Sequence, residues 1–196
     1  MGHSFAFQLE TTQQYRGDAY AFGRWLLVEA KKLGGANHIR RQTDGEAKTP
    51  FDCYHYRIIC QTFHGMRDVL RAIAADDRTA VLPFQYGRLK SARRVVVEAC
   101  PSSTLKRLGW PHQNYKQPAG GPLTAKRRAT RKTILAGLAG LIEIPAPLLR
   151  VMSRNPGGDA IDAVLAAVGD WRAWNSADHA AIAKHARYPL EGYIYA

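Results

Sequence analysis

Arg93-Arg94-Val95-Val96-Val97-Glu98-Ala99-Cys100-Pro101-Ser102-Ser103-Thr104-Leu105 is the stretch whose reading decides the fold. A basic pair opens it, three β-branched residues follow, and a proline stands three positions after a carboxylate. A valine run bounded in this way predicts a strand buried on both faces of a sheet. Pro101 cannot continue a central ladder, so the strand ends before it. Ser102 or Ser103 is then placed to cap a short helix over residues 104–108. Glu98 falls near the carboxyl end of the strand, where open α/β sheets place their ligands. A carboxylate left unpaired inside an apolar run is costly. An arginine in a salt bridge would answer that cost, and so would a metal ion; the residues leave both open.

Working outward toward the N-terminus, residues 79–84 predict a short buried strand closed by Pro83, and residues 85–92 a basic turn feeding the valine strand. Met66, Val69, Leu70 and Ile73 make one face of a helix over residues 66–75. Residues 38–56, polar with Gly45 and Pro50, predict an extended excursion. Arg40 and Arg41 within it are placed to meet phosphate or to remain surface charge. Phe22, Trp25, Leu26 and Val28 predict an amphipathic helix over residues 20–32, stopped by Gly34-Gly35. Residues 1–9 alternate like the end of a strand.

On the other side, residues 109–123 hold three prolines and three glycines and predict a loop. A long helix over residues 124–141 follows, its first half carrying Lys126, Arg127, Arg128, Arg131 and Lys132 and its second half apolar. A shorter helix runs through Met152 to Asn155-Pro156-Gly157-Gly158. The next, over about 159–174, has Ile161, Val164, Leu165, Val168 and Trp171 as its buried stripe. Asp159 is placed to cap that helix or to meet its dipole. Asp162 lies too far inside to cap, on the same face beside the stripe. A helix over residues 177–186 and a strand over residues 191–195 complete the chain.

A length of 196 residues fits one domain covering 1–196. With 46% hydrophobic and 22% charged residues, the chain reads as an ordinary soluble globular protein. Residues 134–149 are apolar but broken by Glu143, Pro145 and Pro147, so no membrane span or membrane partner is expected. No signal peptide is visible, and Cys53, Cys60 and Cys100 show no CxxC spacing. Reduced thiols in a cytoplasm follow, rather than a zinc site. Between residues 84 and 154 there are 14 Lys or Arg against Glu98 and Glu143, so this segment carries the formal excess of +12. That imbalance favours a polyanionic partner, with the first half of the long helix as a nucleic-acid surface.

Glu98 on a strand and Asp162 on a helix are oxygen ligands of the kind that hold Mg²⁺ or Mn²⁺, and a metal pair can drive phosphodiester cleavage. The chain resembles the DUF429 family of predicted nucleases with an RNase H-like fold. The resemblance lies in Arg40-Arg41-Gln42-Thr43-Asp44, Pro50-Phe51 and Gln61-Thr62-Phe63-His64-Gly65-Met66-Arg67-Asp68-Val69-Leu70. It continues in Val97-Glu98-Ala99-Cys100-Pro101-Ser102-Ser103-Thr104-Leu105, Tyr115-Lys116, Gly158-Asp159-Ala160-Ile161-Asp162-Ala163 and Glu191-Gly192-Tyr193-Ile194. It implies an α/β fold with a mixed sheet flanked by helices, Glu98 and Asp162 as metal ligands, and Asp159 as the nearby alternative catalytic acid. One departure matters. Where relatives carry an Asp-Phe-Pro-Phe-like stretch, this chain reads Ser4-Phe5-Ala6-Phe7, and no opening strand with a metal-binding Asp precedes His3, so either a truncated start or a lost metal ligand is expected. The expectation is therefore a metal-dependent nuclease domain, or a catalytically dead module of the same fold that binds nucleic acid or protein.

Overall fold

The computed structural model describes Tyr15 and residues 17–196. The strand expected in residues 1–9, with the Ser4-Phe5-Ala6-Phe7 stretch, lies outside the described residues. The chain is helix-rich with little sheet, in keeping with a mixed α/β class. The chain divides into two compact units, one running to Glu98 and taking in Ala177–Ile194, the other Ala99–Ser176 with Tyr195–Ala196.

In the first unit, helix α1 (Ala19–Gly34) starts where the Asp18 carboxylate accepts from the Ala21 amide at 2.8 Å and stops at Gly35, which takes φ 69°. Polar residues 38–56 contain a short helix, α2 (Gln42–Glu46), because the Asp44 carboxylate accepts from the Arg41 amide at 3.0 Å. Ala19 and Phe22 of α1 pack on Ile59 and Phe63 of α3 (Ile59–His64), with the Phe22 and Phe63 rings 5.4 Å apart. Helix α3 continues through a π turn, Gly65–Leu70, into α4 (Arg71–Ala75). The wider π turn rotates the positions after it. Met66, Leu70 and Ile73 still reach Ala74 and Val81, but Val69, expected on the same face, is 54% exposed.

Strand β1 (Thr79–Val81) is wholly buried and pairs in parallel with β2 (Arg94–Val96), Ala80 opposite Val95. The valine run is not buried on both faces as expected. Among the described residues β2 has β1 as its one strand partner, and Val95 is 40% exposed. The terminal strand expected over residues 191–195 is shorter. A helical turn, Tyr188–Glu191, leads to Ile194–Tyr195, which pairs with Glu98–Ala99.

The second unit is a helical packing of α5 (Pro101–Arg107), α6 (Ala125–Ala139), α7 (Ala146–Arg154) and α8 (Asp159–Ser176). Leu105, Ile134, Leu138, Met152, Ile161 and Leu165 close its core. Each fully buried aliphatic side chain of this kind contributes roughly 1.5–3 kcal/mol. Two expectations are corrected here. Neither Ser102 nor Ser103 caps α5; Cys100 holds that position, Pro101 opens the helix, and the Ser103 hydroxyl is buried without a hydrogen-bond partner. Trp171 does not join the buried stripe and is 66% exposed, while Gly169 and Ala173 are buried. Helices α5 and α8 approach so closely that a Cβ on Gly169 would overlap the Thr104 hydroxyl. The closest approach therefore takes the small residues of α8 and turns the indole outward.

Candidate functional site

Glu98, in the first unit, is held by Arg41. The guanidinium donates through Nη1 to Glu98 Oε2 at 2.7 Å and through Nη2 to Oε1 at 2.6 Å. The same fork grips Asp44, through Nη2 to Oδ1 at 2.8 Å and Nε to Oδ2 at 3.2 Å, and reaches the Glu191 carbonyl at 3.1 Å. Five donors in a rigid plane make this double grip possible for arginine and not for lysine. Burial pulls the Arg41 pKa down, but Glu98 and Asp44 more than reverse it, so the guanidinium is held firmly charged. Of the two readings open for Glu98, the structure supplies the arginine. Arg41 is turned inward and is not offered to phosphate, and Arg40 donates to the Thr49 and Pro50 carbonyls. Gly192, at φ 99°, leaves the room this cluster needs, since a Cβ there would stand 2.9 Å from Arg41 Nη1 and 3.3 Å from Glu98 Oε2.

Asp162, in the second unit, sits in the first turn of α8 and is likewise occupied. Tyr115 donates its phenol to Oδ1 at 2.8 Å, and the Lys116 ammonium bonds Oδ2. Burial, followed by the Asp162 charge and hydrogen bond, pushes the Tyr115 hydroxyl well above its ordinary pKa, so it stays a donor. Tyr115 and Lys116, which enter the sequence reading only through the resemblance, thus belong with Asp162. Asp159 is exposed in the first turn of α8, where its charge meets the helix dipole, and does not cap it. That role falls to Asn155, whose Oδ1 accepts from the Gly158 and Asp159 amides at 2.7 and 2.9 Å.

Among the described residues no three His, Cys, Asp or Glu side chains gather into a group that could hold a metal ion. Glu98 and Asp162 each answer a cation of the chain itself. Among the described residues, then, Glu98 and Asp162 bring no third acid, His or Cys with them toward the Mg²⁺ or Mn²⁺ that the resemblance implies.

The basic helix α6 divides its five cations between outside and inside. Lys126, Arg128 and Lys132 are exposed. Arg127 is half-buried and donates to Gln117 Oε1 at 2.6 Å. Arg131 is only 2% exposed and donates to five backbone carbonyls, so its place in a nucleic-acid surface is corrected. Helical periodicity could have flagged it, since Arg131 stands three and four residues before the buried Ile134 and Leu135.

Asp170 escapes sequence reasoning. It lies in α8 between the apolar positions, and its Oδ1 is buried without a hydrogen-bond partner. Burial pushes its carboxyl up to about 7. Between the ordinary carboxyl range and pH 7 the folded chain holds a proton that the unfolded chain has released, so stability falls as pH rises through that window and is level above it. Asp170→Asn abolishes that fall. The variant is expected to exceed the parent at pH 8 by on the order of 2 kcal/mol, a figure discounted for the side chain's partial exposure, and to match it near pH 4. Urea midpoints at the two pH values measure this; a parent whose stability does not drop between them would place the carboxylate in water.

Comparison with protein-family models, with curated proteins and with solved structures finds no match. Among the described residues no helix is long and apolar enough to cross a membrane.

Proposed function

We propose that this chain is an RNase H-like module of the DUF429 type that binds nucleic acid through α6 and uses Glu98 and Asp162 as structural ion-pair acids. The observation that carries this reading is the contrast between acids and bases. Both acids are engaged by Arg41, Tyr115 and Lys116, whereas Lys126, Arg128 and Lys132 are exposed, Arg128 also donating to the Leu123 carbonyl, on a segment with almost no acid. Exposed cations spaced along two turns of one helix release counterions when they meet a phosphate backbone.

Binding to duplex DNA is therefore expected to weaken steeply with salt. Replacing Lys126, Arg128 and Lys132 together by Gln is expected to flatten the log–log slope by up to about 2.7, at roughly 0.9 per phosphate neutralised. Equal slopes for parent and variant would remove α6 as the contact surface. A metal-dependent nuclease remains the second reading, favoured by the exposure of the Glu98 and Lys116 side chains, both 42%, which leaves each ion pair open to a competing cation. The same preparation separates the two. If Mn²⁺ raises the melting temperature, and Glu98→Gln or Asp162→Asn abolishes the rise, the nuclease reading replaces the first.

A further inference from the structure

Helices α6 and α7 form a hairpin within the second unit. Between them runs a groove of about 460 Å³ lined by Arg128, Lys132, Leu135, Ala136, Ala139 and Leu149, with Arg131 and Ser153 completing it. Its floor is aliphatic. Helix α7 is amphipathic by sequence but buries only Met152; Leu148 and Val151 are 54% exposed and Leu149 is 37% exposed, with Leu141 at 42% beside the connection. An apolar groove floor rimmed by charge, here Leu135, Ala136, Ala139 and Leu149 beside Arg128 and Lys132, marks an interaction site more often than a solvated face.

The charge around that floor has one sign. Arg128 and Lys132 stand on one wall, and Arg150 and Arg154, outside the groove lining, are exposed elsewhere on α7. Neither helix carries an Asp or Glu, and Glu143 is the sole acid between residues 124 and 158. A second copy of this chain would set these cations against themselves. A nucleic-acid strand would satisfy the rim but not the floor, which offers no aromatic face on which a base can stack. Leucines on one face with acids beside them satisfy both.

We propose that the groove between α6 and α7 docks an amphipathic acidic helix of a partner protein, its apolar face on Ala136, Ala139 and Leu149 and its carboxylates on Arg128 and Lys132. This is helix-in-groove recognition, read by anchors at i, i+3, i+4 and i+7. The inference stands on the apolar floor and not on the nucleic-acid reading. The two share Arg128 and Lys132, so the acidic helix would displace a bound oligonucleotide.

The test uses a synthetic helical peptide of about 15 residues, roughly 22 Å long and so matched to α6, with leucines along one face and glutamates beside them. A scrambled peptide of the same composition controls for charge. The full chain is expected to bind the amphipathic peptide and not the scrambled one. Ala136→Glu and Leu149→Ser, both at solvent-exposed positions, are each expected to weaken binding at least tenfold with the melting temperature unchanged. Equal binding of both peptides, or unchanged affinity in both variants, overturns the proposal in favour of simple charge attraction. Binding to phosphatidylglycerol vesicles without peptide binding gives the face to a lipid surface and overturns it as well. An oligonucleotide whose affinity falls in Leu149→Ser, with no peptide binding, gives the face to nucleic acid and likewise overturns the proposal.

Discussion

Replacing Arg131 by methionine is expected to lower the unfolding free energy by about 4 kcal/mol, since each buried acceptor left without a donor costs roughly 1–3 kcal/mol and several are lost together. The guanidinium donates through Nε to the Tyr115 carbonyl at 2.5 Å, through Nη1 to the Asn155 carbonyl at 2.5 Å, and through Nη2 to the Pro156 carbonyl at 2.8 Å. Longer bonds of 3.3 Å reach the carbonyls of Met152 and Ser153. These last two belong to the final turn of α7, where carbonyls have no intrahelical partner and the helix dipole is negative. A buried cation there needs no carboxylate, because helix-end and loop oxygens supply the charge complement. Arg131→Lys should recover only part of the loss, as an ammonium cannot span carbonyls from three segments. Urea unfolding measures both variants. A methionine variant within about 1 kcal/mol of the parent would mean that water, and not the guanidinium, satisfies these oxygens. The loss would also extend to Asp162, because Arg131 fixes the backbone of Tyr115, whose phenol holds that carboxylate.

The second large effect is expected at Arg41. Arg41→Met leaves the Asp44 carboxylate, 1% exposed, without its cation, and breaking a buried pair in this way costs about 3–5 kcal/mol. Glu98→Gln is expected to cost only about 1 kcal/mol, because the amide oxygen still accepts from the fork and the side chain is part-exposed. The asymmetry follows from burial: the two carboxylates share one guanidinium, but only Asp44 has no water to turn to. Denaturant midpoints of the two single variants and of the double variant give the coupling. A Glu98→Gln variant as stable as the parent or more so, with Arg41→Met no worse than a surface change, would free Glu98 from this structural role and reopen it as a ligand.

The sequence by itself determined the local signals. The Gly35 stop of α1, the Thr124 start of α6 and the Gly109-to-Leu123 loop are all read from neighbours in the chain, because caps and breakers act within a few residues. The two carboxylates worth asking about, Glu98 and Asp162, were legible for the same reason: an acid beside apolar positions stands out wherever it folds. Their partners were not. Arg41 is 57 residues from Glu98, and Tyr115 is 47 from Asp162, so only the folded chain says which of many cations and donors arrives. Tertiary structure also decided orientation. The basic cluster of α6 reads as one surface in sequence, but packing the Ile134 and Leu135 side into the core turns Arg131 inward with it. The valine run reads as a central strand, but with β1 as its one strand partner among the described residues it stays half in solvent. Hydrophobic pattern fixes that a face is buried, whereas the number of neighbours and the closeness of a crossing such as Thr104 on Gly169 fix which face, and these depend on residues far apart in the chain.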